Sequence, residues 1–268
     1  MWRELAAKRT FISSSVLQEL RLNKIEAEKF LAPEDTTLDK VRTTLQVAAL
    51  AGLMAASFGL HWKVDQVIAI LGGTAFLLVA DQVANMGGVE ALVVDTAARF
   101  VDKDYANRVA LHEAGHFLTA YLVGLLPRDY CLSSLDAFRR YRVLNVQAGC
   151  KFCDGAFQRE VASGKLKASS LERFACVALA GVATEYMYFG RAEGGIADVQ
   201  QLDGLMRALG FSQKKADGEV RWAVLNTVEL LRRHRAVHGR LADAMYRGEP
   251  VAECVRIIED GLKDCEDV

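Results

Sequence analysis

The stretch from Thr43 to Trp62 contains no Asp, Glu, Lys or Arg, and it limits more than any other feature how this chain can fold. A helix needs about 20 mostly apolar residues to cross the hydrocarbon core of a bilayer. Every backbone polar group in that core must be hydrogen-bonded within the protein, which favours a helix for a single segment. The sequence therefore predicts a transmembrane helix here.

A second apolar run extends from Gln66 to Ala80, and we expect the pair Gly72-Gly73 to break it. Its length is nearer to that of a buried or re-entrant helix than to that of a full span. One span and two spans are both open, and so is a soluble protein with two core helices, because Ala and Gly make both runs only moderately hydrophobic. We expect a hairpin, which places residues 1–42 and 96–268 on the same, positive-inside face of the membrane.

The chain divides by composition into three segments. Residues 1–42 mix charged and apolar groups, which predicts an N-terminal amphipathic helix ending near Pro33. Residues 43–95 form the membrane-anchoring segment, and residues 96–268 have the composition of a soluble, mainly α-helical domain. In that domain the sequence predicts helices at Asn107–Leu125, from Ser169 with Glu172 completing a capping box, after Gly194-Gly195, and at Asp217–Arg233 and Pro250–Ile258, with a short strand at Leu144–Gln147.

Charge and cysteine content narrow the classes of function. The 33 basic and 34 acidic residues nearly cancel, so nucleic acid is not an expected partner. Six cysteines are too sparse for a disulfide framework in 268 residues, and we expect them to be reduced. Cys150 and Cys153 form one C-x-x-C pair without a second pair or a nearby His, so a structural or incidental role is favoured over a zinc knuckle.

The motif that carries chemistry is His112-Glu113-Ala114-Gly115-His116. Two histidines four residues apart lie on the same face of a helix, so both imidazoles can reach one metal ion. A catalytic zinc site needs a third protein ligand and leaves one position for water, whose proton Glu113 is placed to accept. With five His in 268 residues, a shuffled chain contains this pattern in roughly 0.006 of cases.

A second pair of histidines with the same spacing, His234 and His238, serves as an internal contrast. Four arginines lie close to it in sequence, and no carboxylate separates the two histidines. A basic helix face in contact with solvent is the expected structure there. We expect no metal at this pair.

Three segments together resemble the peptidase domain of FtsH-type metallopeptidases. They are the motif at His112–His116, the run from Leu179 to Glu185 continuing into Phe189-Gly190, and the run from Gly195 to Gln200. The likeness covers residues 107–210. It implies an FtsH-like helical zinc peptidase domain for residues 96–268, behind the membrane-anchoring helices.

The resemblance assigns roles to individual residues. It implies that zinc is held by His112, His116 and Asp198, with Glu113 as the general base. Asp198 follows Gly194-Gly195 and begins a helix, where a carboxylate is favourably placed. Asp203 is the competing third ligand, but it points to a different face of that helix. Glu185 also matches a family position, as a hydrogen-bond partner for a ligand imidazole.

The departures from the family pattern are informative too. No G-x-x-x-x-G-K-S/T phosphate loop occurs in the sequence, so ATP dependence is not expected. The segments Pro127-Arg128, Ser133–Asp136 and Gln213–Asp217 are similar to a stand-alone plant and algal branch of the family. That similarity implies a chloroplast membrane, either the thylakoid or the inner envelope.

These observations predict an ATP-independent, membrane-attached zinc metalloendopeptidase. Protein substrates and the membrane are the expected partners, with an oligomer or a larger membrane complex as a further one. The substrates would be unfolded or loosely folded membrane-associated proteins. The alternative is a non-proteolytic assembly or scaffolding subunit that retains a zinc site, because a peptidase without an unfoldase has poor access to folded proteins. An intact Glu113 argues against that alternative.

Overall fold

The computed structural model describes residues 36–144 and 148–263. The predicted N-terminal amphipathic helix and most of the predicted strand at Leu144–Gln147 lie outside these residues. The elements in chain order are α1 (Thr36–Gly59), α2 (Val64–Asn85), α3 (Gly88–Val101), α4 (Tyr105–Leu122), β1 (Pro127–Cys131), α5 (Ser134–Tyr141), β2 (Gly149–Phe152), α6 (Gly155–Ala162), α7 (Ala168–Ala178), α8 (Ala180–Phe189), α9 (Ile196–Ala208), α10 (Gln213–Arg233), α11 (Arg235–Tyr246) and α12 (Val251–Leu262).

The described residues form two compact units. The smaller unit comprises residues 36–106 and 131–149, and the larger unit comprises residues 107–130 and 150–263. Helix α3 spans the predicted domain boundary between residues 95 and 96. The prediction of a mainly helical chain with two apolar helices near the N-terminus is confirmed.

The smaller unit contains the two apolar helices, α1 and α2, and both are long and apolar enough to cross a membrane. Helix α2 is a continuous helix of 22 residues through Gly72 and Gly73, so the expectation of a shorter, interrupted helix was wrong. No side chain of the described residues packs against these two glycines, and the helical backbone continues through them. Only Val41 of α1 is buried, where it packs with Val94 and Ala98 of α3.

Helix α3 is anchored in the smaller unit by Asp95. One carboxylate oxygen of Asp95 accepts a hydrogen bond from the Tyr105 hydroxyl at 3.0 Å, and the other accepts from the backbone N–H of Ser134 at 2.8 Å. The Ser134 N–H lies in the first turn of α5, whose backbone donors have no partner within the helix. Asp95 therefore ties the start of α5 to α3.

The larger unit is a helical assembly around α4. Helix α10 packs against α7 and α8, α9 packs against α7, and α12 packs against α11. Its largest fully buried apolar side chains are Phe117, Leu118, Leu179, Leu202, Met206, Leu231, Leu241, Met245 and Ile258. Strands β1 and β2 form a two-stranded sheet that the sequence did not predict.

Several predicted helix boundaries are close to those observed, and one start signal was wrong. Helix α9 follows Gly195 as predicted, and α10 begins at Gln213, where the Ser212 side chain accepts a hydrogen bond from the Lys215 N–H. Helix α7 begins at Ala168, with Lys167 at the position before it. Ser169 therefore lies inside the first turn of α7 instead of capping it.

Candidate metal centre

The motif helix α4 is buried on all sides from Ala110 to Ala120. A helix surrounded by protein in this way carries apolar residues around its whole circumference unless polar groups find partners. His112, Glu113 and His116 are each less than one-tenth exposed. Each of their polar atoms that finds no partner inside the protein therefore costs stability.

The structure brings His112, His116 and Asp198 together around one point. The two Nε2 atoms lie 3.1 Å apart, and Asp198 Oδ2 lies 3.3 Å from each of them. Ligand atoms at about 2.0 to 2.1 Å from a tetrahedral zinc ion lie roughly 3.3 Å from one another. The three donor atoms thus have the mutual spacing of three corners of a zinc coordination shell.

The outer nitrogen of each imidazole has its own hydrogen-bond acceptor. His112 Nδ1 donates to Glu185 Oε1 at 2.7 Å, and His116 Nδ1 donates to the carbonyl oxygen of Val177 at 2.7 Å. In a neutral imidazole the other nitrogen then carries a lone pair. Both Nε2 lone pairs therefore face each other and the Asp198 carboxylate, an arrangement that repels unless a cation lies between them.

The pKa shifts of His112, His116 and Asp198 also favour positive charge at this point. Burial lowers the pKa of His112, but the hydrogen bonds that its protonated ring forms with Asp198 and Glu185 outweigh burial and raise the pKa to about 10. Burial lowers the pKa of His116 as well, but the charge of Asp198, a hydrogen bond to Asp198 and the charge of Glu113 together raise it above its usual value. Burial raises the pKa of Asp198, whereas the charge of His116 and the hydrogen bond from His112 bring it well below its usual value. The site thus stabilises a cation.

Glu113 lies next to this point without coordinating it. Its Oε2 atom is buried and has no hydrogen-bond partner among the described residues. Burial raises the pKa of Glu113, against the opposing charges of His116 and His112. The Cys150 thiol of β2 donates a hydrogen bond to the backbone carbonyl oxygen of Glu113 at 3.4 Å. A buried carboxylate with an unsatisfied oxygen is suited to accept a proton from a small molecule in the site.

Two glycines let helix α8 approach the side of α4 that carries His112. A side-chain carbon at Gly181 would lie 2.1 Å from His112 Nε2, and one at Gly115 would lie 2.3 Å from Thr184 Oγ1. Both distances are far below van der Waals contact. Glycine is therefore required at these positions by space and not by backbone conformation.

The segment before α9 carries Asp198 into the site. Gly195 has φ of 93°, a conformation that other residues rarely adopt, and a side chain there would collide with Val182. Asp198 lies in the first turn of α9, where the helix dipole favours a negative charge. This confirms the predicted position of Asp198 at the start of a helix after a glycine turn.

The competing candidates lie elsewhere. Asp203 is half-exposed and forms an ion pair with Arg207 at 2.8 Å on the same helix, so the structure does not bring it to the two histidines. The expectation of a solvent-exposed face around His234 and His238 was wrong, because both are buried. His238 Nε2 donates to the carbonyl oxygen of Leu111 at 3.1 Å, and its Nδ1 faces the Tyr188 hydroxyl at 3.2 Å.

The sequence did not indicate every residue near this centre. Arg108 contacts Glu185, and Cys150 contacts Glu113, although neither residue belongs to the motif. Arg108 lies four residues before His112, and this spacing could have indicated from the sequence that both residues lie on one helix face. None of the cysteines within 36–144 and 148–263 forms a disulfide.

Comparison of the chain with protein-family models, with curated proteins and with solved structures gives no significant match.

Proposed function

We propose that this chain is a zinc metalloendopeptidase attached to a membrane and acting without ATP. The observation that carries the proposal is the convergence of His112 Nε2, His116 Nε2 and Asp198 Oδ2 within 3.1 to 3.3 Å of one another. The buried Glu113 carboxylate beside them supplies a base. The resemblance of residues 107–210 to FtsH-type peptidases supports the same reaction.

The donor set fits zinc better than the harder divalent cations. Two imidazoles with one carboxylate are a common ligand set for catalytic zinc, whereas magnesium and calcium prefer oxygen ligands alone. The Asp198 side chain is 30% exposed, while the two imidazoles are 9% exposed. The open side of the centre therefore lies next to Asp198, which is where a substrate can enter.

The chemistry follows from the residues around the centre. When bound, zinc polarises a carbonyl group and lowers the pKa of water, so that peptide hydrolysis becomes accessible near neutral pH. Glu113 accepts the proton of the attacking water and returns it to the amine of the departing peptide. Burial raises the pKa of Glu113, and a base of higher pKa holds that proton long enough to deliver it.

Attachment to a membrane is supported by α1 and α2. Helices of 24 and 22 residues are about 36 and 33 Å long, which exceeds the roughly 30 Å of a hydrocarbon core. Their apolar side chains are largely exposed, whereas core helices of a soluble protein are buried. We therefore favour a two-span hairpin, and the resemblance suggests a chloroplast membrane, thylakoid or inner envelope.

The substrates we propose are unfolded or loosely folded proteins at that membrane. The test is degradation of casein by the purified full chain in detergent, with and without a zinc chelator, together with elemental analysis. We expect about one zinc per chain and cleavage that chelation stops and zinc restores. One zinc per chain without cleavage of any unfolded protein would favour the non-proteolytic scaffold. A protein that takes up no zinc would refute the metal centre.

A further inference from the structure

A buried ion-pair network lies behind the metal centre, and Arg108 is at its middle. Arg108 Nη1 donates to Glu185 Oε2 at 3.2 Å, and Nη2 lies 3.7 Å from Glu193 Oε1. The guanidinium carbon also lies 4.1 Å from the centroid of the Phe189 ring. Both carboxylates are almost fully buried, and burying a carboxylate is costly unless a positive charge accompanies it.

Glu185 joins two parts of the centre that are distant in sequence. Its Oε1 accepts the hydrogen bond from His112 Nδ1 at 2.7 Å. Its carboxylate also accepts from the backbone N–H of Glu193 at 2.8 Å and of Gly194 at 3.1 Å. The segment that contains Glu193 and Gly194 leads directly into α9 and Asp198. Any rotation of the Glu185 carboxylate therefore moves one ligand imidazole and the backbone that carries another ligand.

The contacts of Arg108 oppose rotation of the Glu185 carboxylate. It lies one helical turn before His112 on α4, so both side chains leave the same face of a rigid helix. The planar guanidinium can hold two carboxylates in fixed directions, which a lysine ammonium cannot. Stacking on Phe189 fixes the plane of the guanidinium in turn.

We propose that Arg108 is a positioning residue of the metal centre, which acts through Glu185 to hold His112 and the segment that carries Asp198 in place. The inference rests on the proposed zinc site. The inference goes beyond that site because it assigns a function to residues that do not bind the ion. A purely structural ion pair would affect folding stability alone, whereas a positioning role affects the affinity of the folded protein for zinc.

Arg191 provides a matched control. Its Nη2 lies 2.6 Å from Glu193 Oε1, the same carboxylate oxygen that Arg108 approaches, but its side chain is largely exposed. Within the part of the chain that the structure describes, Arg191 forms no hydrogen bond or ion pair with Glu185. Arg191→Gln therefore removes one arginine from the network while leaving the hydrogen bonds of Glu185 intact.

The experiment measures the zinc dissociation constant of the full chain in detergent by competition with a chromophoric chelator. Arg108→Gln is expected to raise this constant about 10-fold to 100-fold, the usual range for residues that support metal ligands. Arg108→Lys should restore part of the loss, and Arg191→Gln should bind zinc as the wild type does. The visible spectrum of the cobalt-loaded Arg108→Gln protein should also shift, because the ligand geometry changes.

The outcomes separate this inference from the proposed function. A wild type that binds zinc tightly, with Arg108→Gln folded and equally tight, overturns the role of Arg108 and leaves the metal centre standing. A wild type without zinc affinity refutes both. If Arg108→Gln does not fold, Arg108→Lys carries the test, with an expected rise of about 3-fold to 10-fold in the dissociation constant. No change in that variant overturns the inference.

Discussion

Replacement of Gly181 by alanine is a sharp test of the site geometry, because it adds one methyl group directly against a ligand imidazole. The new carbon would lie 2.1 Å from His112 Nε2, 2.3 Å from Cε1 and 2.5 Å from Cδ2. Carbon atoms in contact with a ring are normally about 3.5 Å away. The imidazole must therefore move by about 1.4 Å or helix α8 must move by a similar amount.

Neither movement is compatible with the centre as it stands. The His112 ring is held by Glu185 at 2.7 Å, and α8 itself carries Glu185. Metal–ligand distances tolerate only about 0.2 Å of error, so a displacement of this size removes His112 from coordination. We expect a loss of zinc affinity of at least about 100-fold. Overpacking should also cost about 1 to 3 kcal/mol of folding stability.

The assay is zinc content and chelator competition on the purified Gly181→Ala protein, with thermal unfolding as a check on folding. Gly204→Ala is the matched control, since Gly204 lies within α9 and a side chain there meets no other atom within 4 Å. That variant should bind zinc normally and gain up to about 1 kcal/mol from better helix propensity. A folded Gly181→Ala protein with wild-type zinc affinity would show that α8 does not press on His112.

Three further predictions follow from the described residues. Asp198→Asn should lower both zinc content and casein cleavage, whereas Asp203→Asn should leave both near the wild-type level, as elemental analysis and the cleavage assay will show. Burial lowers the pKa of His238 to about 4. Below pH 6.5, protons therefore bind preferentially to the unfolded state. Folding stability should fall by up to about 3 kcal/mol as the pH drops towards 4. Denaturant unfolding at pH 7 and pH 4 should show a smaller loss of folding stability for His238→Gln than for the wild type. An equal loss would show that His238 does not cause this pH dependence. Protease protection in sealed vesicles should find the N-terminus and residues 107–263 on the same side, whereas opposite sides would mean one span and release by alkaline carbonate would mean none.

The sequence predicted the helices of this chain well where periodicity and glycine breaks coincide. Helix α9 begins after Gly195 as expected, because a glycine with positive φ ends one segment and permits the next. The strands β1 and β2 are five and four residues long, too short to give a recognisable alternating pattern. Gly72 and Gly73 suggested a break in α2 that the structure does not have, since glycine lowers helix propensity without preventing a helix.

The sequence predicted the grouping of His112, His116 and Asp198 and the contact of Glu185 with His112, but it did not predict the contact of Arg108 with Glu185. His112 and His116 face one point because four residues make about one helical turn, and this is a local property that sequence reveals. The contact of Arg108 with Glu185 joins residues 77 positions apart, and only the packing of α8 on α4 creates it. Burial of His234 and His238 has the same origin, because the side of a helix that faces the core depends on its neighbours and not on nearby arginines alone.

The proposed role of Glu113 is to move the proton in a zinc-dependent peptide hydrolysis. Its most direct test is the rate of casein cleavage by Glu113→Gln and by the wild type, with both proteins carrying one zinc per chain. Glutamine keeps the size and most of the hydrogen bonding of glutamate but cannot accept the proton of water. We predict a rate lower by about 10²-fold to 10⁴-fold with zinc content unchanged. Equal rates in the two zinc-loaded proteins would contradict the account.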